Sequence, residues 1–324
     1  MQQRIVSGTH VRANEVRGTH MVMTVVVPLD GSATAEQALP WAQALAGLRS
    51  ATLRLIHVVD ASTEFGAWSM GGGTAIGNEI NTWIADGERY LTEVAARITD
   101  VTVETQVRLG GPSHELRAAL EEMTDPVIVM CSHGRSGVRR VLMGSVAQRI
   151  VHDAACPVLV LKLREDTEPD STPAFDRITV PLDGAPFGEH ALDAIVSVVG
   201  EQVALHLVRV VEVPTMPMGR MGGAGIPLDY GLIEDYMSAS KDEAVMYLDD
   251  VRDRLVARGM TVTTEVREGR VATEILDAAA KQPADIIAMS THGRGGITRL
   301  VVGSVAEQVL HHTTQPLLLV RPTG

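Results

Sequence analysis

The sequence predicts an α/β protein built as two tandem copies of a five-stranded parallel open sheet with helices on both faces, a Rossmann-like arrangement. Three observations carry this expectation. Short apolar runs alternate with helix-length amphipathic segments, the pattern of βαβ units whose right-handed crossovers build a parallel sheet. The same motifs return in the same order in the second half of the chain, which marks an internal repeat. Aromatic residues make up only 3% of the 324 residues. The core must therefore be aliphatic, which suits strands buried on both faces.

In the repeat, Val27-Pro28-Leu29-Asp30-Gly31 returns as Val180-Pro181-Leu182-Asp183-Gly184. His133-Gly134-Arg135 returns as His292-Gly293-Arg294, and Gly144-Ser145-Val146-Ala147 as Gly303-Ser304-Val305-Ala306. The spacing between copies drifts by only a few residues, as loop insertions would cause. Residues 165–174, polar and proline-bearing, read as a linker. This divides the chain into a leader at 1–22, a first domain at 23–164 and a second domain at 175–324. The leader holds Arg4, Arg12 and Arg17 but no apolar stretch, so it reads as a disordered tail rather than a secretory signal. Met21 or Met23 is the expected natural start, because the first strand begins immediately afterwards.

The elements follow in order. Thr24–Leu29 is a β-branched, continuous apolar run ended by Asp-Gly, hence a buried strand. Ala33–Leu48 has helical periodicity, and Leu53–Val59 is the second strand. Glu79–Ile98 is the second helix. Val101–Leu109 alternates polar and apolar residues, as at a sheet edge. Ser113–Met123 is helical, Val127–Met130 is the fourth strand, Ser145–Asp153 a helix and Val158–Leu161 the fifth strand. The second copy repeats the strands at Ile178–Leu182, Leu205–Val211, Thr261–Val266, Ile286–Met289 and Leu317–Val320. The Gly- and Met-bearing loops at 61–77 and 214–231 each follow a second strand and can lid a pocket.

The formal net charge is −12. Non-specific nucleic-acid binding needs Lys and Arg to neutralise phosphates, so nucleic acid and anionic membrane surfaces are poor partners. No apolar run approaches the ~20 residues that span a bilayer, and the expected location is the cytoplasm. Cys131 and Cys156 are the two cysteines, too few for a disulfide framework or a zinc pattern. Both read as buried thiols.

In open α/β sheets ligands sit beyond the strand C-termini, where strand order reverses. The residues after strands one and four are therefore the candidates. After strand four comes Ser132-His133-Gly134-Arg135-Ser136-Gly137, running on to Gly144-Ser145 where a helix starts; the second copy has Thr291-His292-Gly293-Arg294-Gly295-Gly296 and Gly303-Ser304. Glycines allow close backbone approach. Successive exposed N–H groups with a helix N-terminus form an anion site. Ser145-x-x-Gln148 and Ser304-x-x-Glu307 also match a capping box, so these serines can cap their own helices, contact phosphate, or both. Asp30 and Asp183 can accept from a ribose hydroxyl or adenine amine, or simply form a turn. Arg135 and Arg294 can assist phosphate binding or stand in solvent. His133 and His292 have no matching nucleophile and acid partner in either copy, and they read as loop-packing residues.

These residues resemble the universal stress protein family, over essentially everything after the leader. Its ATP-binding members carry Gly-x2-Gly-x9-Gly-(Ser/Thr). Gly134, Gly144 and Ser145 match in the first copy; Gly293, Gly303 and Ser304 match in the second. The first motif glycine is replaced by Cys131 and by Ser290, whose Cβ can crowd a nucleotide. The resemblance implies ATP as ligand, with Mg²⁺ bridging phosphate oxygens. It places the adenine near Pro28, Asp30 and Val58, or near Pro181, Asp183 and Val210. Gly110 and Gly269 line the pocket in this reading, and the glycine loops take the phosphates. It also implies pairing of the two last strands within one chain as a pseudo-dimer, and possible further association of two chains into a homodimer. A nucleotide-dependent sensor or regulator in stress response, a partner-binding protein that has lost the nucleotide, and a slow ATPase remain as alternatives. No general base or metal-binding carboxylate pair is evident for the last.

Overall fold

The computed structural model describes residues 7–10, 23–60, 76–132, 143–162, 173–213, 230–291 and 302–321. The strands are β1 (Ser7–His10), β2 (Thr24–Leu29), β3 (Thr52–Val59), β4 (Thr102–Leu109), β5 (Pro126–Cys131), β6 (Val158–Leu161), β7 (Arg177–Pro181), β8 (Ala204–Val211), β9 (Thr261–Glu268), β10 (Ile286–Ser290) and β11 (Leu317–Val320). The helices are α1 (Ala33–Glu36), α2 (Leu39–Arg49), α3 (Ile76–Ala95), α4 (Pro112–Glu121), α5 (Ser145–Asp153), α6 (Pro186–Val198), α7 (Tyr230–Val256), α8 (Val271–Lys281) and α9 (Ser304–His312).

All eleven strands join one sheet in the order β1-β4-β3-β2-β5-β6-β11-β10-β7-β8-β9. Within each copy the five repeated strands are parallel and their order reverses between the first and the fourth. The copies meet where β6 and β11 pair antiparallel, with Val158 opposite Leu319, Leu159 opposite Leu318 and Val160 opposite Leu317. Each fifth strand thereby covers the other's edge, which would otherwise be a row of unpaired N–H and C=O groups. Trp41 of α2 also meets Phe175, at the start of the second copy, edge to face with ring centroids 5.5 Å apart.

The continuous apolar runs are explained by burial on both faces. Val25, Val27 and Leu29 point to a layer with Leu45 and Leu91; Val26 points to the opposite layer with Leu116 and Ile150. Period-two geometry sends alternate side chains to opposite faces, and both faces are dry here. Each apolar layer runs through both copies, because Leu159 and Leu318 share one while Val160 and Leu317 share the other.

Two expectations are corrected. The helix expected over Ala33–Leu48 is two helices. Proline cannot donate to a preceding turn, and Pro40 instead occupies the opening of α2, after Gln37 and Ala38 end α1. The strand over Val101–Leu109 was expected at a sheet edge, but β1 lies beyond it. Ser7–His10, inside the leader, pair antiparallel with Glu104–Val107 of β4, so this part of the leader adds a strand. At the opposite end, β9 is the outermost strand.

Candidate functional site

Strand order reverses between β2 and β5, and a cavity of about 710 Å³ opens there, beyond the strand C-termini. Its size falls within the ~300–1,000 Å³ of small-molecule sites.

The floor is the turn after β2. Gly31 holds φ +82°, a conformation that glycine adopts without strain. Asp30 beside it accepts through Oδ1 from Ser32 N (3.0 Å) and Ser32 Oγ (2.6 Å). Ser32 in turn caps α1 by accepting from Ala35 N at 3.1 Å. Asp30 is thus both a turn-former and a carboxylate on the cavity wall. The opposing wall begins at Gly144, whose N–H donates to Ser132 O at 2.8 Å, latching the loop's return to the end of β5. Gly303 makes the same latch to Thr291 O at 2.7 Å. A Cβ on Gly303 would lie only 3.1 Å from that carbonyl oxygen, so the close approach favours glycine.

The capping-box reading of Ser145 and Ser304 is corrected. Gly144 and Gly303 are the N-caps, and neither helix has a side-chain cap among the described residues. The serines already have a place in the first turn. The backbone N–H groups at the start of α5 are therefore not consumed by a cap, and Ser145, Val146 and Ala147 line the cavity. A helix N-terminus in this state carries partial positive charge and favours an anion.

The remaining wall comes from α3, in Trp83, Asp86, Gly87 and Tyr90, and from His57 on β3. Sequence reasoning did not single these out. The available signal was the i, i+4, i+7 spacing of Trp83, Gly87 and Tyr90 on a helix of an aromatic-poor chain. Tyr90 donates to Glu36 Oε1 (3.0 Å), while Arg97 donates to Glu36 Oε2 (2.7 Å). Burial, then the Glu36 hydrogen bond, raise the Tyr90 pKa and keep its hydroxyl protonated. His57 Nδ1 donates to Leu29 O at 2.8 Å, which sets its tautomer, and its ring meets Tyr90 edge to face. Cys131 sits on the wall at 5% exposure; burial, reinforced by the Asp30 carboxylate, pushes its thiol up to about 12. Burial likewise pushes Cys156 up to about 12. Neither thiol is poised as a nucleophile, since reactivity belongs to the thiolate.

The structure brings Pro28, Asp30, Val58, Gly144 and Ser145 to one cavity. Gly110 is not in its lining. Its N–H donates to Val59 O at 3.0 Å, and its φ of +147° turns the chain toward Pro112, which does line it. Gly269 makes the matching bond to Val211 O at 3.1 Å. Pro181 and Asp183 end and follow β7, Val210 lies on β8, and Gly303 and Ser304 open α9. Gly134, Arg135, Gly293 and Arg294 lie outside the described residues, as do nearly all of the two expected lid loops. Among the described residues no group of three or more His, Cys, Asp or Glu side chains can hold a metal ion. No described helix is long and apolar enough to cross a membrane.

The model of the universal stress protein family matches residues 21–162 and again 174–321. Universal stress protein Rv2005c of Mycobacterium tuberculosis is 26% identical over 312 residues, covering 92% of this chain and 96% of that protein. Universal stress protein MJ0531 of Methanocaldococcus jannaschii is 31% identical over 147 residues, covering 45% of this chain and 85% of its own. Among solved structures, a universal stress protein of Archaeoglobus fulgidus superposes with a TM-score of 0.63 at 22% identity, covering 92% of this chain and 96% of that one. A repeated α/β unit, a cavity at the first copy's strand-order reversal and two consecutive family matches have one consistent reading: this chain belongs to the universal stress protein family, as a member with two tandem domains.

Proposed function

We propose that this protein binds ATP in the cavity between β2 and β5 and acts in the cytoplasm as a nucleotide-dependent sensor or regulator of stress response. The observation that carries the reading is one cavity with two unlike ends. The Asp30 carboxylate and the Val58 backbone lie toward the β2–β3 side, and the uncapped start of α5 lies on the other. A ribose hydroxyl can donate to a carboxylate. Phosphate oxygens accept from helix N-terminal N–H groups. The glycine latch at Gly144 lets phosphates approach the backbone, and Mg²⁺, a hard cation that prefers oxygen ligands, would accompany the phosphates and offset part of their charge.

The competing partner-binding reading rests on Cys131, whose side chain stands on the cavity wall where the motif has glycine. The two are separated by mass spectrometry of small molecules released by heat from freshly purified protein, followed by ATP titration. The expected result is co-purified or titratable ATP. Asp30→Ala should lower ATP affinity by roughly tenfold or more, the worth of one hydrogen bond to a charged group, with the circular dichroism unchanged. A protein that binds no ATP at any accessible concentration belongs to the partner-binding reading. An Asp30→Ala protein that unfolds assigns Asp30 to the turn alone.

A further inference from the structure

The two copies place different side chains at the residue that faces the end of the first strand. In the first copy this is His57, paired in register with Leu29. In the second it is Arg209, which follows Val208, the residue paired with Pro181. The helix packed above them differs at the matching position too. Gly87 stands three residues before Tyr90, and Ala244 three before Tyr247. The two tyrosines are structural equivalents, each donating at 3.0 Å to the glutamate of its copy, Glu36 or Glu189.

These differences act together. His57 folds down against α3, where only a glycine leaves room: a Cβ at Gly87 would lie 2.9 Å from His57 Cδ2. The imidazole bonds Leu29 O and leaves the cavity open beside Asp30 and Gly31. At the matching place in the second copy stands Ala244, which is fully buried. Arg209 also packs on its helix, but reaches further, to the turn after the first strand of its copy. Its guanidinium carbon lies 5.0 Å from the centre of the Tyr247 ring, and Nη2 donates to Glu243 Oε1 at 3.3 Å. Nη1 is so close to Gly184 that an added Cβ there would sit 2.1 Å from it. Gly184 is the counterpart of Gly31, which lines the first-copy cavity. Arg209 is only 7% exposed. Asp183 Oδ1 accepts from Ala185 N at 3.0 Å, as Asp30 does from Ser32 N, and also fills the space a Cβ on Gly188 would need. The matching residue of the first copy is Ala35, whose side chain reaches the cavity.

We infer that Arg209 closes the base-and-ribose end of the second copy's cleft, so that the first domain alone takes the nucleotide and Arg209, with Ala244, determines that selectivity. The inference rests on the nucleotide reading of the first-domain cavity. A guanidinium already stacked on an aromatic ring and paired with a carboxylate is costly to displace. A neutral adenine and ribose offer it no compensating charge.

The test is equilibrium dialysis of the full chain against radiolabelled ATP with Mg²⁺. The unaltered protein should bind one ATP per chain, and Asp30→Ala should weaken that single site by roughly tenfold or more. The double variant Arg209→His/Ala244→Gly, which restores the first-domain pair, should bind two, its folding checked by thermal unfolding. Two ATP in the unaltered protein, or a single site whose affinity Asp30→Ala leaves unchanged, overturns the inference. So does a folded double variant that still binds one. No ATP on either the unaltered protein or the double variant overturns instead the nucleotide reading on which the inference rests.

Discussion

Replacing Gly87 by alanine tests whether the niche on α3 keeps the first-domain cavity open. An ideal Cβ there falls 2.9 Å from His57 Cδ2 and 3.3 and 3.4 Å from two methyl carbons of Val107. Val107 is 4% exposed and held in register against His57 by the β3–β4 ladder, so it cannot retreat and the imidazole must. Moving the ring breaks the Nδ1–Leu29 O hydrogen bond, worth about 0.5–1.5 kcal/mol net. Overpacking of this kind costs about 1–3 kcal/mol in all. Against it stands the helix-propensity gain of Gly→Ala, about 1 kcal/mol. The balance is a loss of about 1 kcal/mol, with the displaced ring pushed into the cavity beside Asp30. Urea unfolding of the full chain should show a lower midpoint for the first domain, and ATP titration a weaker affinity by roughly tenfold, equivalent to about 1.4 kcal/mol. A variant that is about 1 kcal/mol more stable, with unchanged ATP affinity, refutes the reasoning.

Two further predictions use the ionisable groups of the same wall. The Tyr90 pKa is raised by burial and by Glu36, so the folded state holds the neutral phenol while the unfolded chain ionises near the ordinary value of about 10. The stability this contributes is fully present below that value and is lost as pH rises beyond it toward the folded pKa. Tyr90→Phe should therefore be less stable than the unaltered protein at pH 7, by about 1 kcal/mol. It should lose less stability between about pH 10 and 11, as thermal unfolding at stepped pH would report; parallel losses would count against the Tyr90–Glu36 assignment. Cys131, buried and pushed up to about 12, should be alkylated by iodoacetamide at pH 8 at least about tenfold more slowly in the folded protein than in urea, because the thiolate is the nucleophile. Rapid labelling of native Cys131, located by peptide mapping, would contradict its burial.

Much of the framework was legible in the residues. β-branched apolar runs ended by Asp-Gly mark strands whatever surrounds them, because local sterics and two-sided burial demand those residue types. Val158–Leu161 and Leu317–Val320 were readable to the residue because they are continuous apolar runs buried on both faces. The repeat specified two copies, and the strand-order rule for such sheets directed attention to Asp30 and Gly144. What tertiary structure decided is where distant side chains meet. Tyr90 and Glu36 are far apart in sequence, and only packing α3 over β3 and β4 brings them together. Gly144 rather than Ser145 became the cap because the latch to Ser132 O extends the backbone at the glycine. His57 and Arg209 were visible as a difference, but not the directions they take. A side chain's direction depends on the room its neighbours leave, and one methyl, absent at Gly87 and present at Ala244, sits where that room is set.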